Sequence, residues 1–218
     1  MTNDTWSERA QLYVDSDAHR AGADLDLLVE WARGAETALD VATGGGHVAR
    51  RLREAGIDVV SSDPAAGMKP DVICRAEDLP FATNSFDLVA CRVAPHHFSD
   101  VARAVSEMAR VSRDLVLIVD TVNMGEAVEQ AEKLRDSLHV RNYSEEEWRE
   151  FCAAAGLEIE ELRVIPRESD LAVWLSRTAC EGEQADRVVE LLGERAAGGC
   201  LRLDLIAIKA RHESALSR

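Results

Sequence analysis

The sequence contains no hydrophobic run long enough to cross a membrane or to form the core of a signal peptide. Its first thirty residues carry many charged side chains instead. No segment has the biased composition of a low-complexity or linker region. We therefore expect a cytoplasmic protein that does not insert into a membrane.

Basic residues are also scarce: 25 lysines and arginines stand against 40 aspartates and glutamates, which gives a formal charge of -15. Like charges repel at long range, so this balance disfavours nucleic acid and anionic membrane surfaces as partners. A small neutral or cationic ligand fits the charge better.

Cysteine is present in a pattern that predicts no cross-link. The five cysteines are isolated from one another, and no C-x-x-C spacing occurs. We expect ordinary, mostly buried thiols, with no disulfide, no zinc site and no other metal site. The residues are Cys74, Cys91, Cys152, Cys180 and Cys200.

The chain of 218 residues is long enough for one sizeable α/β domain and short for two. Short apolar runs alternate with segments of helical period, which predicts a parallel sheet with crossover helices. We expect a single domain over 1–218, with an N-terminal helical cap at about 1–35 and insertions at about 122–156 and 166–199 that roof a substrate pocket. Seven strands are predicted: 37–42, 57–62, 71–75, 86–91, 115–120, 158–165 and 201–209.

Helix signals lie between these strands. A basic-faced helix is predicted over 46–56, another follows Ser99, and Ser144 with Glu147 forms a capping box for a third. Two further helical stretches are 124–138 and 181–195. The connection 64–70, "PAAGMKP", has room for at most one helical turn, although a parallel crossover normally needs about a dozen residues.

The stretch "LDVATGGGHVA" (39–49) is a strand that runs through an aspartate and a glycine cluster into a helix. Gly44, Gly46 and Ala49 fit G-x-G-x-x-[GA], and Asp63 follows Gly44 by 19 residues, as in a dinucleotide site. Asp40 would repel a pyrophosphate but attract a cation. S-adenosylmethionine, with its ammonium and sulfonium, therefore fits better, while a glycine-rich turn with solvated aspartates remains the alternative without a ligand.

The stretch "AEDLPFATNSFDLVACRVAPHHFSD" (76–100) resembles the corresponding region of class I S-adenosylmethionine-dependent methyltransferases, in the group similar to the ubiquinone/menaquinone methyltransferases. Together with 13–28 and the glycine loop, the resemblance covers about the first 120 residues, and 136–148 is similar to a segment of some small bacterial members. It implies a Rossmann-like seven-stranded mixed sheet in the order 3-2-1-4-5-7-6, with the last strand antiparallel and helices on both faces. It also implies an S-adenosylmethionine site: Asp40, Ala42, Gly44 and Gly46 at the methionine and sugar, Asp63 at the ribose, Ala76 and Glu77 at the adenine, and Arg92 near the sulfonium.

Three features depart from that family pattern. Ala42 replaces the first glycine of the loop, which adds one methyl group. Arg75 stands where an aspartate usually accepts a hydrogen bond from the adenine, which an arginine cannot do, although it can stack on the base. The short 64–70 connection leaves out most of a helix that normally walls the adenine. A second copy of the chain, in a homodimer, could cover that side.

Methyl transfer requires mainly that the acceptor is positioned and, for some acceptors, that a proton is removed. His96 and His97 follow the fourth predicted strand, so either is a candidate base, unless one packs under the loop and the other caps the next helix. His139 and Arg141 are candidate acceptor ligands or solvated loop residues. Tyr13 and His19 belong to a segment that either folds across the cofactor or packs on the sheet as a helix.

These observations predict an enzyme that transfers a methyl group from S-adenosylmethionine to a small-molecule acceptor. Two alternatives remain at this point. One is a binding or regulatory protein, or a non-methylating enzyme, on the same fold. The other is a nicotinamide-dependent oxidoreductase, which the glycine pattern alone would also allow.

Overall fold

A computed structural model describes residues 2–14 and 20–212. His19 lies outside the described residues. None of the helices in the described part is long and apolar enough to cross a membrane. The helices are α1 (Thr2–Val14), α2 (Ala23–Trp31), α3 (His47–Glu54), α4 (Val101–Val111), α5 (Glu126–Arg135), α6 (Glu145–Ala154), α7 (Leu171–Ser176) and α8 (Gly182–Leu192). The strands are β1 (Thr37–Val41), β2 (Asp58–Asp63), β3 (Val72–Ile73), β4 (Phe86–Arg92), β5 (Ser112–Thr121), β6 (Leu157–Ile165), β7 (Glu168–Asp170), β8 (Cys200–Arg202) and β9 (Leu205–His212).

The central sheet has seven strands in the order β3-β2-β1-β4-β5-β9-β6. Strands β1 to β5 pair in parallel, and β9 runs antiparallel to both β5 and β6. This confirms the predicted order and the antiparallel last strand. The carboxyl ends of β1, β2 and β4 therefore meet at one edge of the sheet, where ligands of open α/β sheets bind.

The predicted last strand, 201–209, is wrong as a single element, because the chain passes from a second sheet into the central sheet between β8 and β9. β8 pairs with β7 in a separate two-stranded sheet. Backbone hydrogen bonds fix the break: Leu203 donates to the carbonyl of Arg167 (3.1 Å), and Val122 donates to the carbonyl of Asp204 (3.1 Å). The apolar alternation continues across this break because Leu201 and Leu203 pack into the apolar cluster of the inserted segments, while β9 lies inside the central sheet.

Both faces of the sheet are covered, as alternate residues of β4 illustrate. Val89 and Cys91 pack with α4 and α6, whereas Leu88 and Ala90 pack with α2 and α3. Successive strand residues point to opposite faces, so a two-sided apolar run is what a doubly covered strand needs. The inserted segments have an apolar cluster of their own, formed by Val128, Ala131, Leu171, Trp174, Cys180, Val188, Leu192, Ala196, Leu201 and Leu203.

The predicted helix starts are present with their capping contacts. Ser144 accepts a hydrogen bond from the backbone of Glu147, whose side chain accepts one from the backbone of Ser144, and this capping box begins α6. Asp100, rather than a histidine, caps α4 by accepting from the backbone of Arg103 (3.0 Å). His96 and His97 lie instead in a single 3₁₀ turn, Pro95–His97, directly after β4.

Candidate active site

A cavity of about 390 Å³ opens at the carboxyl ends of β1, β2 and β4. Its size is that of a small-molecule site. Most of the residues that the sequence singled out for a methyl donor line it: Asp40, Ala42, Gly44, Asp63, Ala76, Glu77 and Arg92. Gly46 is not among the lining residues; it adopts a left-handed conformation (φ 73°) as the N-cap residue directly before α3.

Asp40 lines this cavity and organises the glycine loop. Its Oδ2 accepts hydrogen bonds from the Thr43 hydroxyl (2.5 Å) and the backbone N–H of Ala49 (3.0 Å). The residue is 1% exposed, and burial raises the pKa of its carboxyl group to about 6, although both hydrogen bonds favour the ionised form. Asp40 is therefore mainly ionised at neutral pH and supplies a buried negative charge.

The loop backbone comes close to its neighbours at Gly45. A Cβ atom there would lie 2.7 Å from the carbonyl oxygen of Tyr13, which also accepts a hydrogen bond from Nε2 of His47 (2.9 Å). At Ala42 the backbone has a positive φ of 54°, a conformation that costs an L-residue about 1–2 kcal/mol. The replacement of glycine by alanine at this position therefore adds backbone strain as well as a methyl group.

Asp63 ends β2 with both carboxylate oxygens engaged. Oδ2 accepts from the backbone N–H of Gly44 (3.0 Å) and Oδ1 from that of Ala65 (2.9 Å). Burial raises its pKa in spite of these bonds. The contacts fix the carboxylate at the edge of the cavity and tie β2 to the glycine loop.

Glu77 holds the neighbouring part of the cavity wall. Its Oε1 accepts from the Ser99 backbone (3.0 Å), the Ser99 hydroxyl (2.8 Å) and Nη2 of Arg75 (3.1 Å). Burial raises the pKa of Glu77, but these hydrogen bonds outweigh it and the net shift is downward. Glu77 is therefore ionised and can accept hydrogen bonds in this part of the wall, which the guanidinium of Arg75 cannot do.

Helix α1 covers the side that the short 64–70 connection leaves open. That connection contains a single 3₁₀ turn, Ala66–Met68, as the sequence predicted. The backbone N–H of Gly67 donates to the Ser7 hydroxyl (3.0 Å), and Trp6 lines the cavity together with Met68. The chain's own N-terminal helix thus forms this wall, and the homodimer stays a prediction.

Arg92 lines the cavity at the end of β4, but its charge is compensated. Its Nε donates to Oδ2 of Asp24 on α2 at 2.6 Å, and both side chains are almost fully buried. The ion pair joins α2 to the carboxyl end of β4, so Arg92 adds little net positive field to the cavity.

The two neighbouring histidines take different positions. His97 lines the cavity, its Nδ1 donates to the carbonyl of Leu138 (2.9 Å), and its ring lies 4.7 Å from that of Trp6. Burial, and then the adjacent His96, lowers the pKa of His97 well below its ordinary value. His96 is not among the residues that line this cavity, and its Nδ1 pairs with Oδ1 of Asp120 at 2.5 Å.

The candidate acceptor residues also separate. His139 lines the cavity and its Nε2 hydrogen-bonds to Glu129 (3.2 Å), while burial lowers its pKa to about 4. Arg141 lines neither this cavity nor the smaller pocket beside it. Its side chain is 46% exposed and pairs with Glu147 at 2.6 Å. Arg141 therefore lies at the surface, as expected for a solvated loop residue, which was the alternative to an acceptor ligand.

A smaller pocket of about 60 Å³ lies beside the large cavity. Tyr13, Val93 and His97 line both spaces. Three arginines that the sequence did not single out also line the small pocket: Arg135, Arg167 and Arg177. The sequence shows only that all three lie within the segments expected to roof the substrate pocket.

Comparisons with known proteins place this geometry in context. Residues 39–119 match the model of a methyltransferase domain. The chain is 33% identical over 217 residues to YcgJ of Bacillus subtilis, an uncharacterized methyltransferase, covering 88% of this chain and 85% of YcgJ. The crystal structure of YcgJ superposes with a TM-score of 0.76, covering 88% of this chain and 99% of the other.

Two further proteins are similar. The structure of BH2331 from Bacillus halodurans, assigned as a methyltransferase, gives a TM-score of 0.77 at 29% identity and covers 88% of this chain and 100% of that one. A demethylmenaquinone methyltransferase of Beutenbergia cavernae is 40% identical over 101 residues, which cover 42% of this chain and 41% of the relative.

Proposed function

This chain belongs to the class I S-adenosylmethionine-dependent methyltransferases, and on that premise we propose that it binds S-adenosylmethionine in the large cavity and methylates a small molecule. The observation that supports the proposal most is the meeting of two buried carboxylates, Asp40 and Asp63, at one cavity edge. One carboxylate can attract the cationic sulfonium and ammonium of this ligand, and the other can accept hydrogen bonds from its ribose hydroxyls.

The residues present fit this cofactor. Ionised Asp40 favours an ammonium or sulfonium nearby, and Asp63, held by two backbone N–H groups, presents a fixed acceptor to ribose hydroxyls. A Cβ at Gly44 would meet no protein atom within 4 Å, so the absence of a side chain leaves room for a ligand there. On the adenine side we assign Ala76 as apolar wall and Glu77 as acceptor.

Arg92 has a positioning role in this proposal. A free guanidinium beside a sulfonium would repel it, whereas Arg92 is paired with Asp24 at 2.6 Å. The pair therefore allows Arg92 to border the donor site and to fix the end of β4 at small electrostatic cost.

When bound, S-adenosylmethionine supplies a methyl group made electrophilic by its positive sulfur. His97 is then the better placed of the two candidate bases, because it lines the cavity and His96 does not. Since Nδ1 of His97 donates to Leu138, its Nε2 carries no proton in the neutral ring and can accept one from the acceptor. The low pKa of His97 keeps the ring neutral at pH 7.

The acceptor side of the proposal comes from other residues. His139 and Tyr13 line the cavity near His97 and would exclude water from the acceptor and orient it. The similarity to the demethylmenaquinone methyltransferase covers only 42% of this chain, so it supports the donor half rather than a quinone-like acceptor.

Isothermal titration with S-adenosylmethionine and S-adenosylhomocysteine tests the proposal. We expect binding of both, weakened roughly tenfold or more by Asp63→Asn because a charged hydrogen-bond acceptor is lost. Asp58→Asn, on the exposed start of the same strand, serves as the control and should bind normally. No binding of either compound at millimolar concentration would refute the cofactor assignment.

Transfer itself is tested separately from binding. Incubation with S-adenosylmethionine and a panel of small acceptors should yield S-adenosylhomocysteine and a methylated product, detected by mass spectrometry. S-adenosylmethionine that stays bound and intact with every acceptor would instead favour a binding or regulatory role. NADH should not bind, because Asp40 faces the place of its pyrophosphate.

A further inference from the structure

The small pocket concentrates positive charge in a chain whose formal charge is -15. Three arginines, Arg135, Arg167 and Arg177, line a space of about 60 Å³. Such a volume holds a group of a few heavy atoms rather than a whole acceptor molecule. The pocket is therefore suited to one end of a larger ligand.

The three arginines come from separate elements and converge through the inserted segments. Arg135 ends α5, Arg167 precedes β7, and Arg177 follows α7. The guanidinium of Arg135 lies 4.0 Å from the ring centre of Trp174 and its Nη1 donates to the Trp174 carbonyl (3.0 Å). Its side chain is 10% exposed and thus held in one orientation.

Carboxylates balance the arginines of this pocket only in part: outside its lining, Oδ2 of Asp136 lies 3.9 Å from Nη2 of Arg135. Glu132 is the one carboxylate in the described lining, and it accepts a hydrogen bond from the side chain of Asn142. Burial raises the pKa of Glu132 to about 7, which removes part of its charge near neutral pH. Burial raises the pKa of Asp120 to about 8 and lowers that of His96 to about 4, so both groups are mainly uncharged at neutral pH.

The arginines remain charged despite their surroundings. Burial lowers the pKa of all three, and the charge of Arg135 contributes to the lowering at Arg177, whose pKa is about 10. All three are protonated at pH 7. Arg167 and Arg177 make other contacts as well. They contribute to the pocket through their location and their positive charge, and each guanidinium has five N–H donors.

The pocket adjoins the place where the acceptor reacts in the proposed function. Tyr13, Val93 and His97 line both the small pocket and the large cavity. A molecule seated with one end among the arginines would therefore present its other end near His97.

We propose, on the basis of the methyl transfer proposed above, that the acceptor carries a compact oxyanion, a carboxylate or a phosphate, which binds between Arg135, Arg167 and Arg177. Guanidinium groups removed from water recover interaction energy through charge-assisted hydrogen bonds, and their planar fork matches both oxyanions. A neutral acceptor of the same shape would offer these guanidinium groups no opposite charge.

Probe binding to protein saturated with S-adenosylhomocysteine tests this inference. Benzoate, phenyl phosphate and benzamide share a phenyl ring, and the first two carry the oxyanion. We expect at least one of these anions to bind about tenfold or more tightly than benzamide in isothermal titration. Whichever binds better identifies the oxyanion that the pocket prefers.

Two variants locate the site. Arg167→Gln and Arg177→Gln should each weaken anion binding about tenfold, whereas Arg187→Gln, an exposed arginine on α8, should leave it unchanged. If Arg177→Gln fails to fold, Arg177→Lys takes its place. The lysine keeps the positive charge, so this variant should retain part of the affinity for the anion.

The outcomes separate this inference from the proposed function. If S-adenosylhomocysteine itself does not bind, the proposed function fails. If it binds, but the wild-type protein prefers neither anion to benzamide, or folded glutamine variants bind the anions unchanged, the oxyanion pocket is wrong and the proposed function stands.

Discussion

The backbone of Gly67 lies directly against Ser7. A Cβ atom on Gly67 would be 2.5 Å from the Cα atom of Ser7, which is closer than such atoms can approach. The backbone N–H of Gly67 also donates to the Ser7 hydroxyl (3.0 Å). Helix α1 can therefore close the cavity beside Met68 only because position 67 has no side chain.

Gly67→Ala should displace α1 from the 3₁₀ turn. The added methyl group cannot be accommodated by a side-chain rotation, because its nearest neighbours include backbone atoms of Ser7. We expect the dissociation constant of S-adenosylhomocysteine to rise roughly tenfold, or about 1.4 kcal/mol, measured by titration calorimetry. Ala66→Ser changes the exposed neighbouring position and should have no effect. Unchanged affinity in Gly67→Ala would show that α1 does not contribute to the ligand site.

The affinity for S-adenosylmethionine should rise with pH between about 5 and 7. Burial raises the pKa of Asp40 to about 6, so the carboxyl group is mostly neutral below that pH and mostly ionised above it. Only the ionised form attracts a cation, which gives tighter binding at the higher pH. Binding curves at several pH values measure this, and Asp40→Asn should weaken binding and flatten the dependence. A wild-type profile as flat as that of the asparagine variant would count against the role of Asp40.

His97 should remain neutral, with its proton on Nδ1, down to well below pH 6.5. Burial and the neighbouring His96 lower its pKa, and Nδ1 donates to Leu138. Long-range ¹H–¹⁵N spectra report both the tautomer and the titration, and His97→Gln assigns the signal. In urea the same signal should titrate near 6.5. A folded-state midpoint near that value would contradict the prediction.

The same shift affects stability in a defined direction. Because the pKa of His97 is lower in the folded than in the unfolded state, its neutral form contributes stability above about pH 6.5, and this contribution is lost as the pH falls. His97→Gln should therefore show a shallower loss of stability than wild type between pH 6.5 and 5 in urea unfolding.

Ser144→Ala should destabilise the protein by about 1 kcal/mol, the usual cost of losing such a helix cap. It removes the hydroxyl that accepts from the Glu147 backbone (3.2 Å) at the start of α6. Ser106→Ala, in the interior of α4, lacks a capping contact and is the control. Urea unfolding measures both variants, and equal stabilities would show that the capping box contributes nothing measurable.

Several strands and much of the lining of the large cavity can be predicted from the sequence because the signals are local, whereas the strand order was implied by the family resemblance. The glycine loop, the aspartates at strand ends and the capping box each involve residues within a few positions of one another. Asp40, Gly44 and Asp63 consequently lie together at the cavity where the strand order brings their strand ends.

Features that depend on long-range packing are not readable in this way. The apolar pattern of 200–210 continues through the break at Leu203 because the leucines before the break and the apolar residues of β9 are both buried, although β8 and β9 belong to different sheets. The three pocket arginines lie 32 and 10 positions apart along the chain and carry no shared motif. The sequence predicts an N-terminal helical cap but not that α1 closes the wall left open at 64–70, because that contact is made through a glycine.

The inserted segments are held together by their own apolar cluster, which includes Leu171, Trp174 and Leu201. The strand ends at the large cavity belong to a different part of the chain, before residue 93. In evolutionary terms the two halves can diverge separately, because substitutions in 166–203 need not disturb the packing of β1, β2 and β4. We expect relatives with the same glycine loop to differ chiefly in this segment, and exchange of 166–203 between two of them to exchange substrate preference.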